Sequence, residues 1–320
     1  VVEGGKLYDK IEGPVLIFSM TGESEMRETE LISNIRNKAG KLSKKVIRGI
    51  GDDCAVLDLG GAEYILWAQD MLVEGTHFDL KKAKYKNIGR KAVAVNISDI
   101  AAMGGTPEFI QVSLGLPRGI KQTAIDSITT GIFDILKEYK IKLLGGDTVR
   151  SPKIVIDVSI VGKVKKKSLT LRSGAKPGDF VVITGPVRDG KKEHLVFSPR
   201  LAESQLLVKN YKINAMIDTS DGIAADMIRV CDESDTGCIL YKQALPLSGG
   251  LSVQDALYYG ESFELLFTMN PCEADKLLAR NGKYPGFFVI GEITKKKKER
   301  IIMDKKRNST ALKLEGYKHF

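Results

Sequence analysis

The sequence has only three histidines, His77, His194 and His319, in 320 residues. No Ser/His/Asp arrangement stands out around them, which argues against a histidine-based hydrolase. The four cysteines, Cys54, Cys231, Cys238 and Cys272, show no C-x-x-C spacing and no nearby histidine cluster, so neither a zinc site nor a disulfide framework is expected; they read as buried thiols. No stretch approaches the ~20 consecutive apolar residues of a membrane span. The first twenty residues lack a basic leader joined to an apolar core and a small-residue cleavage site, which makes cytoplasm the expected compartment. The phosphate loop G-x-x-x-x-G-K-[ST] and the protein-kinase signatures are also missing, so any handling of ATP goes by another route. No short repeat period suggests a solenoid.

What is present is an ordinary globular composition, 43% hydrophobic and 28% charged. The length favours two domains of about 150 residues. A formal charge of +9 invites a nucleic-acid partner. The lysines, however, gather in Lys163–Ser168 and Thr294–Arg300, at the ends of strand-like segments where charge runs form solvated turns. Without an RNA-recognition, helix-turn-helix or zinc-finger pattern, neither nucleic acid nor membrane is expected as a partner. A basic surface suits an enzyme with phosphorylated, anionic substrates.

Alternation and punctuation predict strands at Val46–Ile50, Ala55–Leu59, Tyr64–Gln69 and Phe109–Leu116, and helices at about Asn87–Met103 and Thr123–Tyr139. A long half-covered strand is expected in "KIVIDVSIVGKVKKK". Glycine and proline cluster in Leu169–Phe180, after which strand and helix signals alternate again. The expected organisation is an extension over 1–25 without functional weight, an N-terminal domain over 26–168 and a C-terminal domain over 169–320. Both are α/β, with mixed sheets.

The chemistry concentrates in carboxylates. Asp53 in "GIGDDCA", Asp70 in "LWAQDM", Asp147 in "LLGGDT" and Asp218 with Asp221 in "MIDTSDG" are placed at strand ends beside small residues. Asp99 falls instead inside a helical pattern, sharing a face with Asn96 and Met103. Each alone is readable as a turn former or cap. Together they point to convergence, because ligands gather at strand ends in open α/β sheets. Two like charges about 5 Å apart repel by roughly 3 kcal/mol at an effective dielectric near 20, so a converging set calls for a cation. Oxygen-only donors point to Mg²⁺ shared with nucleotide phosphates. "GGDT" and "DTSDG" would bring backbone N–H groups close to phosphate. Of the adjacent pair, Asp53 is expected to face the site and Asp52 to hold the turn.

The segments "GIGDDCAVL", "QDMLVEGTHFDL", "GRKAVAVNISDIAAMGGTP", "LLGGDT", "LTLRSGAKPGD", "IDTSDGIAADM", "YGESFELLF", "VIGEIT" and "GYKHF" follow one another in an order that resembles the thiamine-monophosphate kinase family. Its superfamily includes aminoimidazole ribonucleotide synthetase, selenophosphate synthetase and a hydrogenase-maturation protein. The resemblance implies ATP-dependent phosphorylation of thiamine monophosphate to thiamine diphosphate by direct in-line transfer, without a covalent enzyme intermediate. It implies metal ligation by Asp53, Asp70, Asp99, Asp147, Asp218 and Asp221. Gly146, Asp147, Arg172 and Ser220 would contact ATP, and His77 and Glu261 would contact thiamine monophosphate. Tyr317 is the candidate aromatic near the thiamine, since Leu314 stands where the family usually places one. The implied fold is a two-domain synthetase-like one, with an N-terminal sheet that forms a barrel across a homodimer and a C-terminal α/β domain outside it. Departures from the family pattern are Ala68 and Gln69 before Asp70, Ser262 and Phe263 after Glu261, and a short segment after Gly185. The alternatives are a sister synthetase or kinase acting on another small substrate, and a catalytically weakened nucleotide-binding protein.

Overall fold

The computed structural model of the protein describes residues 28–280 and 286–314. Tyr317 and the 1–25 extension lie outside them. The first unit runs α1 (Glu28–Ala39), β1 (Val46–Arg48), β2 (Ala55–Leu57), β3 (Glu63–Val73), α2 (Tyr85–Ala102), β4 (Thr106–Leu116), α3 (Gln122–Tyr139), β5 (Lys142–Arg150) and β6 (Val155–Lys165). The second begins with β7 (Phe180–Thr184), α4 (Gly190–Glu193), α5 (Leu201–Asn210), β8 (Ala215–Asp218) and α6 (Ile223–Ser234). It continues through β9 (Gly237–Tyr241), α7 (Val253–Tyr258), β10 (Leu265–Met269), α8 (Pro271–Leu278), β11 (Phe287–Thr294), β12 (Arg300–Met303) and β13 (Ser309–Ala311).

Two mixed sheets result, ordered β1-β2-β3-β6-β4-β5 and β13-β12-β9-β11-β7-β10-β8. Most pairings are antiparallel; β4 with β5, and β9 with β12, are parallel. Strand β6 alternates buried and half-buried residues along its length, as expected for a strand covered on one face. The covered face lies under α2. The other carries Trp67, Met71 and Phe109, all exposed. Strand β5, at the sheet edge, is exposed throughout.

Two expected strand ends lie elsewhere. Strand β3 pairs with β6 from Glu63↔Lys165 to Val73↔Val155, so Asp70 sits inside a strand rather than at its end. Asp147 is likewise interior to β5: Gly145 and Gly146, which read as a turn, are ladder residues opposite Gln111 and Val112. Gly146 is there because β4 runs too close for a side chain; a Cβ would meet the Val112 carbonyl oxygen at 1.7 Å. Cys54, Cys231 and Cys238 are buried as expected, whereas Cys272, in the first turn of α8, is exposed.

Helix α2 is the structural pivot. Thirteen of its eighteen residues are buried, because β3 and β6 lie beneath it, α3 beside it, and α5 and β8 against its C-terminal half. Ser204 Oγ donates to the Ala101 carbonyl at 2.5 Å and Thr170 Oγ1 to that of Ala102 at 2.9 Å, tying the helix end to α5 and to the segment that leads into the second unit. Its other flank meets α3 at two glycines. A Cβ on Gly89 would lie 2.0 Å from the Ile128 carbonyl oxygen, and one on Gly131 1.9 Å from that of Lys86. Helix propensity alone predicts that Gly131→Ala gains about 1 kcal/mol. We expect the reverse, a net loss of about 1–3 kcal/mol from forcing the helices apart, read as a lower thermal midpoint.

Candidate active site

A cavity of about 700 Å³ opens between the two units, floored by α2 and walled by β3, the turn before α6 and the loop before β10. Lys91, Val95 and Asp99 recur every four residues on α2 and all face it. At 1.5 Å rise per residue, Asp99 lies about 12 Å along the helix from Lys91. The cavity therefore has two poles.

At the Asp99 pole, Asp53, Asp99 and Asp218 each offer a carboxylate oxygen, all within 4.8 Å of one another. Asp53 comes from the glycine-rich bend before β2, Asp218 from the last residue of β8. Asp70 and Asp221 line the same end. Burial, reinforced by mutual repulsion, raises the pKa of Asp99 and Asp218 well above the ordinary carboxylate value; Asp70 is raised too, chiefly by burial. Cations offset part of this charge. Arg172 bonds to Asp53 Oδ1 at 2.6 Å, and Arg229 forms ion pairs with Asp221 and, at 2.6 Å, with Asp226. Ser98 Oγ donates to Asp218 at 2.5 Å. Asp53 Oδ2 is buried without a hydrogen-bond partner. A carboxylate with an orphaned buried oxygen, grouped with two others and with no sulfur or imidazole among the donors, fits a hard divalent cation.

The two adjacent acids are directed differently. Asp53 faces the cluster, while Asp52 accepts from Arg172 N at 3.1 Å and Arg48 Nε at 3.1 Å, pinning the bend to the segment after Leu171.

At the Lys91 pole, Lys91 is fully buried, and its Nζ donates to the His77 carbonyl at 3.1 Å and to Glu261 Oε1, and meets His194 Nδ1 at 2.6 Å. Glu261 is carried on a strained loop: Gly260, Glu261 and Phe263 have φ of 79°, 55° and 49°. A left-handed conformation at a non-glycine residue costs on the order of 1–3 kcal/mol and persists only where surroundings impose it. Here Glu261 N donates to Ser220 O at 2.8 Å, Phe263 N to Thr219 O at 3.0 Å, and Ser262 and Thr219 share a 2.7 Å hydroxyl contact. Phe263 stacks on Phe197 with ring centroids 4.1 Å apart. His77, in the turn after β3, folds back on the end of that strand, its Nδ1 accepting from Val73 N at 2.9 Å, and lines the cavity.

Of the expected site residues, Asp53, Asp70, Asp99, Asp218, Asp221, Arg172, Ser220, His77 and Glu261 meet at this cavity. Gly146 and Asp147 do not line it within one chain; Asp147 shares the register row of Met71, Asp157 and Ser113 on the open face of the sheet. Sequence reasoning missed Lys91 and His194. The available signal for Lys91 was its place four residues before Val95 and eight before Asp99.

The sequence profile of the AIR synthase related protein N-terminal domain matches residues 51–164, and that of the C-terminal domain residues 184–304. Thiamine-monophosphate kinase of Buchnera aphidicola (subspecies Acyrthosiphon pisum) is 32% identical over 92% of this chain and 98% of that relative. The Escherichia coli K12 enzyme of that name is 33% identical over 92% and 98%. The chain belongs to the thiamine-monophosphate kinase family. Among solved structures, AaThiL complexed with AMPPCP and TMP superposes with a TM-score of 0.79 at 28% identity, covering 94% of this chain and all of that one. The likeness of fold to this thiamine-monophosphate kinase family structure extends over both sheets.

Five raised carboxyls carry a pH signature. Burial and neighbouring acids push Asp52 up to about 6 and Asp226 up to about 7, while Asp70, Asp99 and Asp218 are raised as well. Each stabilises the fold when protonated. That contribution is complete below the unfolded value near 4 and is lost as pH rises through the folded values. The metal-free protein should therefore melt several degrees lower at pH 8 than at pH 5.5 in EDTA, and added Mg²⁺ should flatten the dependence. A flat EDTA profile contradicts this.

Proposed function

We propose that the protein transfers the γ-phosphoryl group of ATP directly to the phosphate of thiamine monophosphate, forming thiamine diphosphate and ADP. The observation that carries this reading is the carboxylate cluster at one pole of the cavity, with an orphaned Asp53 oxygen and a bound arginine. Phosphoryl transfer asks a protein mainly for positioning and charge cancellation, and needs no strong base. Mg²⁺ held by Asp53, Asp70, Asp99, Asp218 and Asp221 would supply charge neutralisation at the phosphates. Arg172, already at the cluster, is placed to exchange its Asp53 contact for a phosphate oxygen. Ser220 presents its side chain and the turn before α6 to the same end. His77 and Glu261 take the acceptor at the other.

Gly146 and Asp147 join this set if the protein is a homodimer. The support is the row of exposed apolar side chains Trp67, Met71, Phe109, Leu144 and Val149 on the uncovered sheet face and its β5 edge. Patches of this kind mark association surfaces. Closure of the sheet against a second copy would remove the β5 edge and bring the partner's β5 residues toward the nucleotide.

The weakened-protein alternative rests on Gln69 and Ser262. Gln69 bonds Asp157 at 3.1 Å, and Ser262 fastens the Glu261 loop to Thr219. Both departures thus have partners of their own and leave the cavity acids in place.

Incubation with Mg-ATP and thiamine monophosphate should yield thiamine diphosphate and ADP in equal amounts; ADP without thiamine diphosphate rejects the substrate. Asp53→Asn should lower turnover by about a thousandfold or more, the scale of losing a main electrostatic stabiliser, while the circular dichroism spectrum is unchanged. Leu144→Lys should shift the mass measured by light scattering from dimer to monomer; a monomeric wild type removes the dimer from this reading.

A further inference from the structure

Lys91 is an ammonium group with three protons, and three acceptors surround it: the His77 carbonyl, Glu261 Oε1 and His194 Nδ1. The same His194 nitrogen lies 3.0 Å from Glu261 Oε2. One ring nitrogen cannot accept from Lys91 and donate to Glu261 at once. When Nδ1 accepts, Lys91 is fully satisfied and Glu261 Oε2 keeps its capacity for a donor from another source. That carboxylate borders the cavity, on the pole away from the acid cluster. Burial pushes the Glu261 carboxyl up, and the Lys91 ammonium beside it opposes that rise. The loop that carries it is held in left-handed geometry, and Phe263 beside it presents an aromatic ring to the same cavity. Leu31 and Ile32 of α1 close the cavity with apolar surface.

We propose that Lys91 and His194 are positioning residues that hold Glu261 as a hydrogen-bond acceptor for the amino-bearing ring of the phosphoryl acceptor, and so set selectivity for that ring. This rests on thiamine monophosphate as the substrate, whose aminopyrimidine carries an exocyclic N–H donor at the end opposite its phosphate. A neutral or misaimed Glu261 loses that donor, and the acceptor binds less tightly with the phosphate chemistry intact. A hydrogen bond to a charged group is the larger class of such contacts, so losing it matters at the level of a tenfold or greater change in affinity.

The test compares thiamine monophosphate with its oxo analogue, in which oxygen replaces the exocyclic amine, under Mg-ATP with the full chain. Wild type should prefer the amino compound at least tenfold in kcat/KM. Lys91→Met and His194→Ala should raise the acceptor KM about tenfold, leave kcat and the ATP KM within about twofold, and erase the preference. His194→Asn, whose side-chain oxygen can accept from Lys91, should restore it. Should Lys91→Met fail to fold, the His194 pair decides alone. Variants that keep the amino preference, or whose two KM values shift together with the folded fraction, overturn the positioning role while wild-type turnover still upholds the substrate. A wild type that phosphorylates neither compound overturns the substrate reading and this subsite with it.

Discussion

Repulsion among carboxylates is the constraint to which the rest of this structure answers. Asp53, Asp99 and Asp218 crowd within 4.8 Å, with Asp70 and Asp221 beside them. Left to themselves they would separate or take up protons. They stay because each is anchored from behind: Asp99 on a helix buried by both units, Asp218 at the end of a buried strand and bonded to Ser98, and Asp53 on a bend that Asp52 and Arg172 fasten. Arg172, in the segment between the two units, and Arg229, on α6 of the second, supply partial neutralisation. The stored repulsion favours a divalent cation and the phosphates it accompanies. The fold costs stability here and recovers it in α2, the two sheets and the apolar clusters packed on them.

Much of this was legible in the residues. Acids beside small residues mark bends and caps, and helical counting placed Asp99 on a helix, between the apolar positions that pack on the sheet. The mixed two-sheet architecture followed from alternation interrupted by glycine and proline. Local pattern fails where the partner is distant. Lys91 reads as one more charge in "GRKAVAV"; its burial depends on Glu261 and His194, which lie 170 and 103 residues away. Asp147 was placed at a strand end because "GG" looks like a turn, yet the glycines serve close approach to β4. Cys272 shows the reverse failure: a residue type expected inside sits on the exposed first turn of α8.

The departures from the family pattern are instructive for the same reason. Ser262 stands where an acid is usual, and its hydroxyl fixes the loop to Thr219 in the buried seam. Gln69, next to Asp70 in sequence, points to the other face of the strand and bonds Asp157, yet it also borders the cavity, so this departure lies at the cavity rim.

One consequence of α2 concerns size rather than charge. The helix carries an acid at one pole of the cavity and a lysine at the other, and its two ends are held by different parts of the molecule. It acts as a caliper with fixed jaws. A single residue inserted between Lys91 and Asp99 would change the gap by only about 1.5 Å but would swing one jaw about 100° out of the cavity. The opening can therefore be altered only in whole turns, and an acceptor whose phosphate and ring are spaced differently requires another helix, not an adjusted one.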